Sequence, residues 1–138
     1  MKHSPKVVMK KRSDLVPYEN NPRIHSEKQV AQIVASVNEW GWTTPILVDE
    51  ENKIISGHGR LMAAEKMGLT KVPCVVAKDW SDAQKRAYVI ADNKLAESGS
   101  WDDDLFYAEI NALVGLDFDI ELMALDLEVD IEPFNPST

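Results

Sequence analysis

The sequence predicts an α+β fold: a small mixed β-sheet with helices packed against it. Three observations carry this. Short runs rich in Val and Ile alternate with longer stretches whose apolar residues recur at three- and four-residue spacing. The helical stretches open on Ser or Asp and stop at Gly. No run approaches the roughly 18 apolar residues of a membrane span.

Val7-Val8-Met9 reads as a first strand, followed by Lys10-Lys11-Arg12 and a polar loop, Pro17-Tyr18-Glu19-Asn20-Asn21-Pro22-Arg23. Ser26 opens a helix, and Gln29, three residues on, completes a capping box. Val30, Ile33, Val34, Val37 and Trp40 form one apolar face, and Gly41 stops the helix. Residues 45–48 are a strand, 49–52 a hairpin loop and 53–56 the partner strand. A second helix then runs to Gly68, and residues 72–77 form another strand. Ser81, with Gln84 three residues on, begins a third helix reaching about residue 97.

Ser98-Gly99-Ser100 marks the internal boundary. Beyond it, Asp102 or a neighbour caps a fourth helix carrying Phe106, Ile110 and Leu113 on one face. A shorter helical stretch is expected at residues 120–125, and residues 133–138 are expected to fray. The chain therefore divides into a body, 1–98, and a helical extension with a tail, 99–138.

Charge follows the same division. All 15 Lys and Arg lie between Lys2 and Lys94, with 11 of the 23 acids, so that segment carries +4. Residues 95–138 hold the other 12 acids and no base, and carry −12. A basic body can meet a polyanion; the acidic extension can mask that surface or simply keep the chain soluble. The one cysteine, Cys74, excludes an intramolecular disulfide, and Val72-Pro73-Cys74-Val75-Val76 reads as a buried strand. With no signal-peptide pattern at the first residues, the expected location is cytoplasmic.

The chemistry centres on Ile54-Ile55-Ser56-Gly57-His58-Gly59-Arg60, an apolar run that breaks at two glycines and becomes a helix. Such a junction collects backbone N–H groups and the positive end of a helix, and is suited to an anion. Arg60 adds a planar cationic fork for phosphate oxygens. His58 can donate a hydrogen bond or act as a general base. The competing reading is a tight turn with a surface arginine. Other features have bland readings. Lys10-Lys11-Arg12 and Lys85-Arg86 read as solvated faces, Trp40 and Trp42 as core or edge packing, and His3 and His25 have no visible partners.

Three ordered blocks are more specific: Gly41-Trp42-Thr43-Thr44-Pro45-Ile46-Leu47-Val48; residues 54–68; and Val72-Pro73-Cys74-Val75-Val76 leading to Ser81-Asp82-Ala83-Gln84 and Ala91-Asp92-Asn93-Lys94. With Asn21-Pro22-Arg23 upstream, residues 12–98 resemble the N-terminal domain of ParB-like proteins in the ParB/sulfiredoxin superfamily. The resemblance implies that Gly57, His58, Gly59 and Arg60 stand where the family binds the triphosphate of CTP. It implies that Asp92 and Asn93 stand where a Glu-Asn pair helps hold magnesium and phosphates. Thr44 matches a nucleotide-lining position, and Asn21 and Arg23 would help close the pocket. The chain departs from the family's usual Gly-Glu-Arg-Arg at His58 and Gly59, which leaves the base, CTP or ATP, open. Sulfiredoxins carry a catalytic Cys in this loop; Cys74 lies elsewhere, so sulfinic-acid reduction is not expected.

Asp92-Asn93-Lys94 with Trp101-Asp102 most resembles the ParB-like domains of phages and mobile elements, often described as nucleases and joined to DNA methyltransferases. The expected function is magnesium-dependent nucleotide binding in a DNA transaction such as plasmid or phage partition or DNA modification, with His58 positioning a water for slow hydrolysis. The expected partners are nucleotide, DNA, a methyltransferase or other phage protein and a second copy of the chain, with no membrane. The alternatives are a metal-dependent DNA nuclease and a non-catalytic docking module of a methyltransferase.

Overall fold

The computed structural model describes residues 5–18 and 25–123. Contacts group the chain into two compact units, Met1–Ser98 and Gly99–Thr138.

In the first unit, a four-stranded sheet has the order β1-β4-β2-β3, made of β1 (Val7–Lys11), β2 (Ile46–Asp49), β3 (Ile54–Ser56) and β4 (Lys71–Ala77). β1 and β4 are antiparallel, β4 and β2 parallel, β2 and β3 antiparallel, so the sheet is mixed as the sequence predicts. Pro73 sits in a strand with neighbours on both sides, yet pairing with β2 begins only at Cys74. Its missing N–H therefore costs no bond to β2. Two β-branched residues, Ile46 and Val48, pack with Ile54, Val72, Cys74, Leu15, Leu61 and Ala64 on one face of the sheet. Leu47, Ile55 and Ala77 face the other way, against Trp80, Tyr88 and Val89. The period of two along β2 thus supplies both layers.

Helix α1 (Glu27–Trp40) ends on Gly41, whose positive φ of 82° releases the chain. Its face is apolar as expected up to Val37, and Trp40 at its end is 49% exposed. Helix α2 (His58–Met67) is closed by Gly68 in the left-handed conformation, whose N–H bonds back to the carbonyls of Ala64 and Glu65. Helix α3 (Asp82–Ser98) opens on a complete capping box. Gln84 N–H donates to Ser81 Oγ at 3.1 Å, and Ser81 N–H donates to Gln84 Oε1 at 2.8 Å. Ser26 and Gln29 close only half of theirs: Gln29 N–H donates to Ser26 Oγ, while the Gln29 side chain is turned to His25.

Two basic groups read as solvated are partly structural. Arg12, in the 3-10 turn Arg12–Asp14, donates from Nε to the Leu69 carbonyl at 2.9 Å and pins the segment after β1 to the end of α2. Lys85 turns inward to Asp49, while Arg86 keeps an exposed pairing with Asp82. β1 is an edge strand whose Val7 and Met9 are 57% and 59% exposed, and Lys6, Lys10 and Lys11 guard it against edge pairing.

In the second unit, α4 (Asp103–Gly115) is capped by Asp102, which accepts from Leu105 N–H at 3.2 Å. Ile110 is buried, and Phe106 meets Trp101 at a tilt and Tyr107 edge-on. A 3-10 turn, Ile120–Met123, stands where the short helix is expected. Residues 124–125 of that expectation, and the expected fraying tail, lie outside the described residues.

Candidate functional site

The strand β3 delivers the chain to Gly57, which has φ 109° and serves as N-cap of α2 without a side-chain cap. Only glycine suits that position. A Cβ there would be strained, and it would meet Ile46 Cγ1 at 3.2 Å. The first turn of α2 therefore presents the N–H groups of residues 58–60 without a capping oxygen from residue 57.

These residues form one wall of a cleft of about 340 Å³. The cleft is also lined by Thr44, by Asp92 and Asn93 of α3, by Gln29 and Ile33 of α1 and by His25 just before α1. The fold thus brings Thr44, Gly57, His58, Gly59, Arg60, Asp92 and Asn93, far apart in sequence, around a single cavity. Asn21 and Arg23 lie outside the described residues.

Arg60 is half-buried in this cleft, and burial lowers its pKa from the usual arginine value. Among the described residues no carboxylate stands within ion-pair distance of it. Burying a guanidinium without an anion is costly, and a phosphate would relieve that cost.

His58 lines the cleft with its ring already engaged. Its Nε2 accepts a hydrogen bond from the Tyr18 backbone N–H at 3.0 Å. A neutral ring so engaged carries its proton on Nδ1 and has no basic nitrogen left for water. Burial, and then the repulsion that a protonated His25 would add, lower the His58 pKa. The arrangement suits a tie between the Tyr18 segment and α2 better than a general base.

Asn93 Nδ2 donates to the Val89 carbonyl at 2.6 Å, which fixes the side-chain amide against its own helix. Burial first, and then the Asp92 carboxylate, raise the Tyr88 pKa. One carboxylate and one amide oxygen in the cleft fit a magnesium ion held mainly by phosphate oxygens. Among the described residues no group of three His, Cys, Asp or Glu is placed to hold a metal alone.

His25 and Gln29 are cleft residues that sequence reasoning missed. Gln29 is read there as a cap and His25 as unpartnered; their contact needed the cap's second half to open. Cys74 is fully buried with a pKa raised by that burial, remote from the cleft residues in role and chemistry.

The model of the ParB N-terminal domain family matches residues 2–94. The chain belongs to that family. It is 47% identical over 81 residues to the ParB-like nuclease domain-containing protein YnaK of Escherichia coli K12, covering 59% of this chain and 93% of that one. Its fold matches the C-terminally truncated chromosome-partitioning protein ParB from Caulobacter crescentus complexed with CTP-gamma-S. That match has a TM-score of 0.66 and 22% identity over 86% of this chain and 69% of the other. A Pnob8-like ParB-N domain matches with a TM-score of 0.52 and 19% identity over 64% of this chain and 36% of that one. At these identities the two structures establish the fold of this ParB-family chain, and the small mixed sheet expected from sequence agrees with it. Among the described residues no helix is long and apolar enough to cross a membrane.

Proposed function

We propose that the cleft binds the phosphates of a nucleoside triphosphate, CTP or ATP, together with magnesium, in a DNA transaction such as partition or DNA modification. One observation carries this reading: Arg60, half-buried at the start of α2, faces the cleft without a carboxylate partner among the described residues. The uncapped first turn of α2 adds N–H donors. The Caulobacter ParB structure of the same fold holds CTP-gamma-S, which supports a nucleotide as the anion.

In this reading Arg60 and the amides of Gly57, His58, Gly59 and Arg60 hold phosphate oxygens, and Thr44 lines the cavity. Asp92 and Asn93 supply the protein oxygens for magnesium, which when bound neutralises phosphate charge. Asn21 and Arg23 are proposed to close the pocket. His58 ties Tyr18 to the loop rather than activating water, so binding is the primary activity and any hydrolysis is slow.

The test is a thermal-shift screen of CTP, ATP, GTP and ADP, with and without magnesium and duplex DNA. At least one triphosphate should raise Tm, and Arg60→Ala should abolish the rise. No shift in any condition, or an undiminished shift in Arg60→Ala, would overturn the reading. The name of the Escherichia coli relative includes a nuclease domain, which favours cleavage as the second reading. Magnesium- or manganese-dependent DNA cleavage lost in Asp92→Ala would select it. Pull-down of a methyltransferase or other phage protein, and sedimentation for a homodimer, test the remaining partners.

A further inference from the structure

Two capping boxes of identical spacing close differently, and the difference points at His25. Gln84 returns its side-chain oxygen to the N–H of Ser81, as a cap should. Gln29 instead places Oε1 2.8 Å from His25 Nδ1. A side chain able to complete its own helix end is used to set an imidazole ring in the cleft wall.

The ring also dictates residue 59. A Cβ on Gly59 would lie 3.0 Å from His25 Nδ1, 3.2 Å from its Cε1 and 2.9 Å from Ile33 Cδ1. Gly59 is helical and not strained, so its lack of a side chain serves this close approach of α1 to α2. The charged and titratable groups sharing the cleft with His25 are His58 and Arg60 on α2 and Asp92 on α3.

We propose that His25, oriented by Gln29, is a direct contact to the phosphate groups held at the first turn of α2. It acts as a second recognition side chain beside Arg60, and Gly59 makes room for it. The inference rests on the nucleotide reading and adds a residue to it. With the amide oxygen of Gln29 as acceptor, Nδ1 holds its proton and Nε2 is the nitrogen that meets the ligand. A phosphate oxygen needs a donor. Nε2 therefore takes a proton from solvent as the phosphate arrives, and then donates a charge-assisted bond.

The test uses the full chain with inorganic tripolyphosphate and with CTP, each with magnesium. The chain has three histidines, so ¹⁵N imidazole resonances are assignable with His25→Asn and His58→Asn. Saturating tripolyphosphate should move the His25 Nε2 resonance of the wild type to the protonated range. His25→Asn should weaken both ligands by about tenfold, the scale of a hydrogen bond to a charged group. An unmoved Nε2 resonance at saturation, or unchanged affinity in a folded His25→Asn variant, overturns the proposal. If His25→Asn does not fold, the wild-type resonance alone decides. A wild type that binds neither ligand overturns the nucleotide reading as well. Binding that requires Arg60 but leaves His25 unmoved overturns this inference alone.

Discussion

Lys85 Nζ lies 3.0 Å from Asp49 Oδ2, and this ion pair fastens α3 to the β2–β3 hairpin. Asp49 is 3% exposed, and its other oxygen accepts the N–H groups of Glu51 and Lys53, each at 2.9 Å. One carboxylate thus organises the hairpin turn and holds the helix that carries Asp92 and Asn93. Asp49→Ala removes three hydrogen bonds and should destabilise the fold by about 2–4 kcal/mol in urea denaturation. Lys85→Met leaves the backbone bonds in place and keeps the stem packed, so its loss should be smaller. Equal losses would mean that the pair, and not the hydrogen bonds of the turn, sets the stability.

Acidification should act on His58 first. Its folded pKa is lowered from 6.5 by burial and then by His25, so below that value the unfolded chain binds more protons than the folded one. Stability should therefore fall as pH drops from the unfolded value through the folded one. A protonated Nε2 would also face the Tyr18 N–H, donor against donor. Tm measured from about pH 7.5 to about pH 5 should decline in the wild type and decline less in His58→Gln. Parallel curves would contradict the assignment.

Asp49 titrates in a different window. Burial alone would raise its pKa, but the Lys53 N–H, Lys85 and the Glu51 N–H outweigh burial and hold it below 3.8. Its contribution is present above the unfolded value and is lost as pH falls through the folded one. Asp49→Asn should flatten the acid limb of a stability profile below 3.8 while leaving the His58 limb unchanged.

Gly59→Ala tests the α1–α2 approach. Alanine favours a helix interior over glycine by about 1 kcal/mol. The added Cβ would nonetheless meet Ile33 Cδ1 at 2.9 Å and His25 Nδ1 at 3.0 Å. A net destabilisation of about 1–3 kcal/mol is expected, as for other overpacked sites. Gly68→Ala meets no atom within 4 Å and should cost only its left-handed φ of 69°, about 1 kcal/mol. A stabilised Gly59→Ala would show that the helices separate freely.

Cys74 is fully buried, and that burial raises its thiol pKa. The native chain should resist a thiol-labelling reagent and react fully in denaturant. Rapid native labelling would mean that β4 opens.

Periodicity, glycine stops and caps are local signals, and they placed the four helices and four strands to within a residue or two. β1 extended two residues further than its apolar run, because pairing with β4 continues through Lys10 and Lys11. Trp40 ends the predicted apolar face yet is 49% exposed, because a helical face predicts direction, not depth of burial. The body-and-extension division came from charge and the Ser-Gly-Ser link, both readable without coordinates.

The sequence by itself determined the mixed α+β architecture, the glycine junction and the family resemblance, because each is written in neighbouring residues. Tertiary structure alone decided what each side chain meets. It gathered Thr44, Arg60, Asp92 and Asn93 around one cleft, turned Lys85 from solvent to Asp49, and gave His58 Nε2 to Tyr18. It also diverted Gln29 from its cap to His25. Those partners lie tens of residues apart or compete with a local bond of similar strength. Packing selects among them only after the chain has folded.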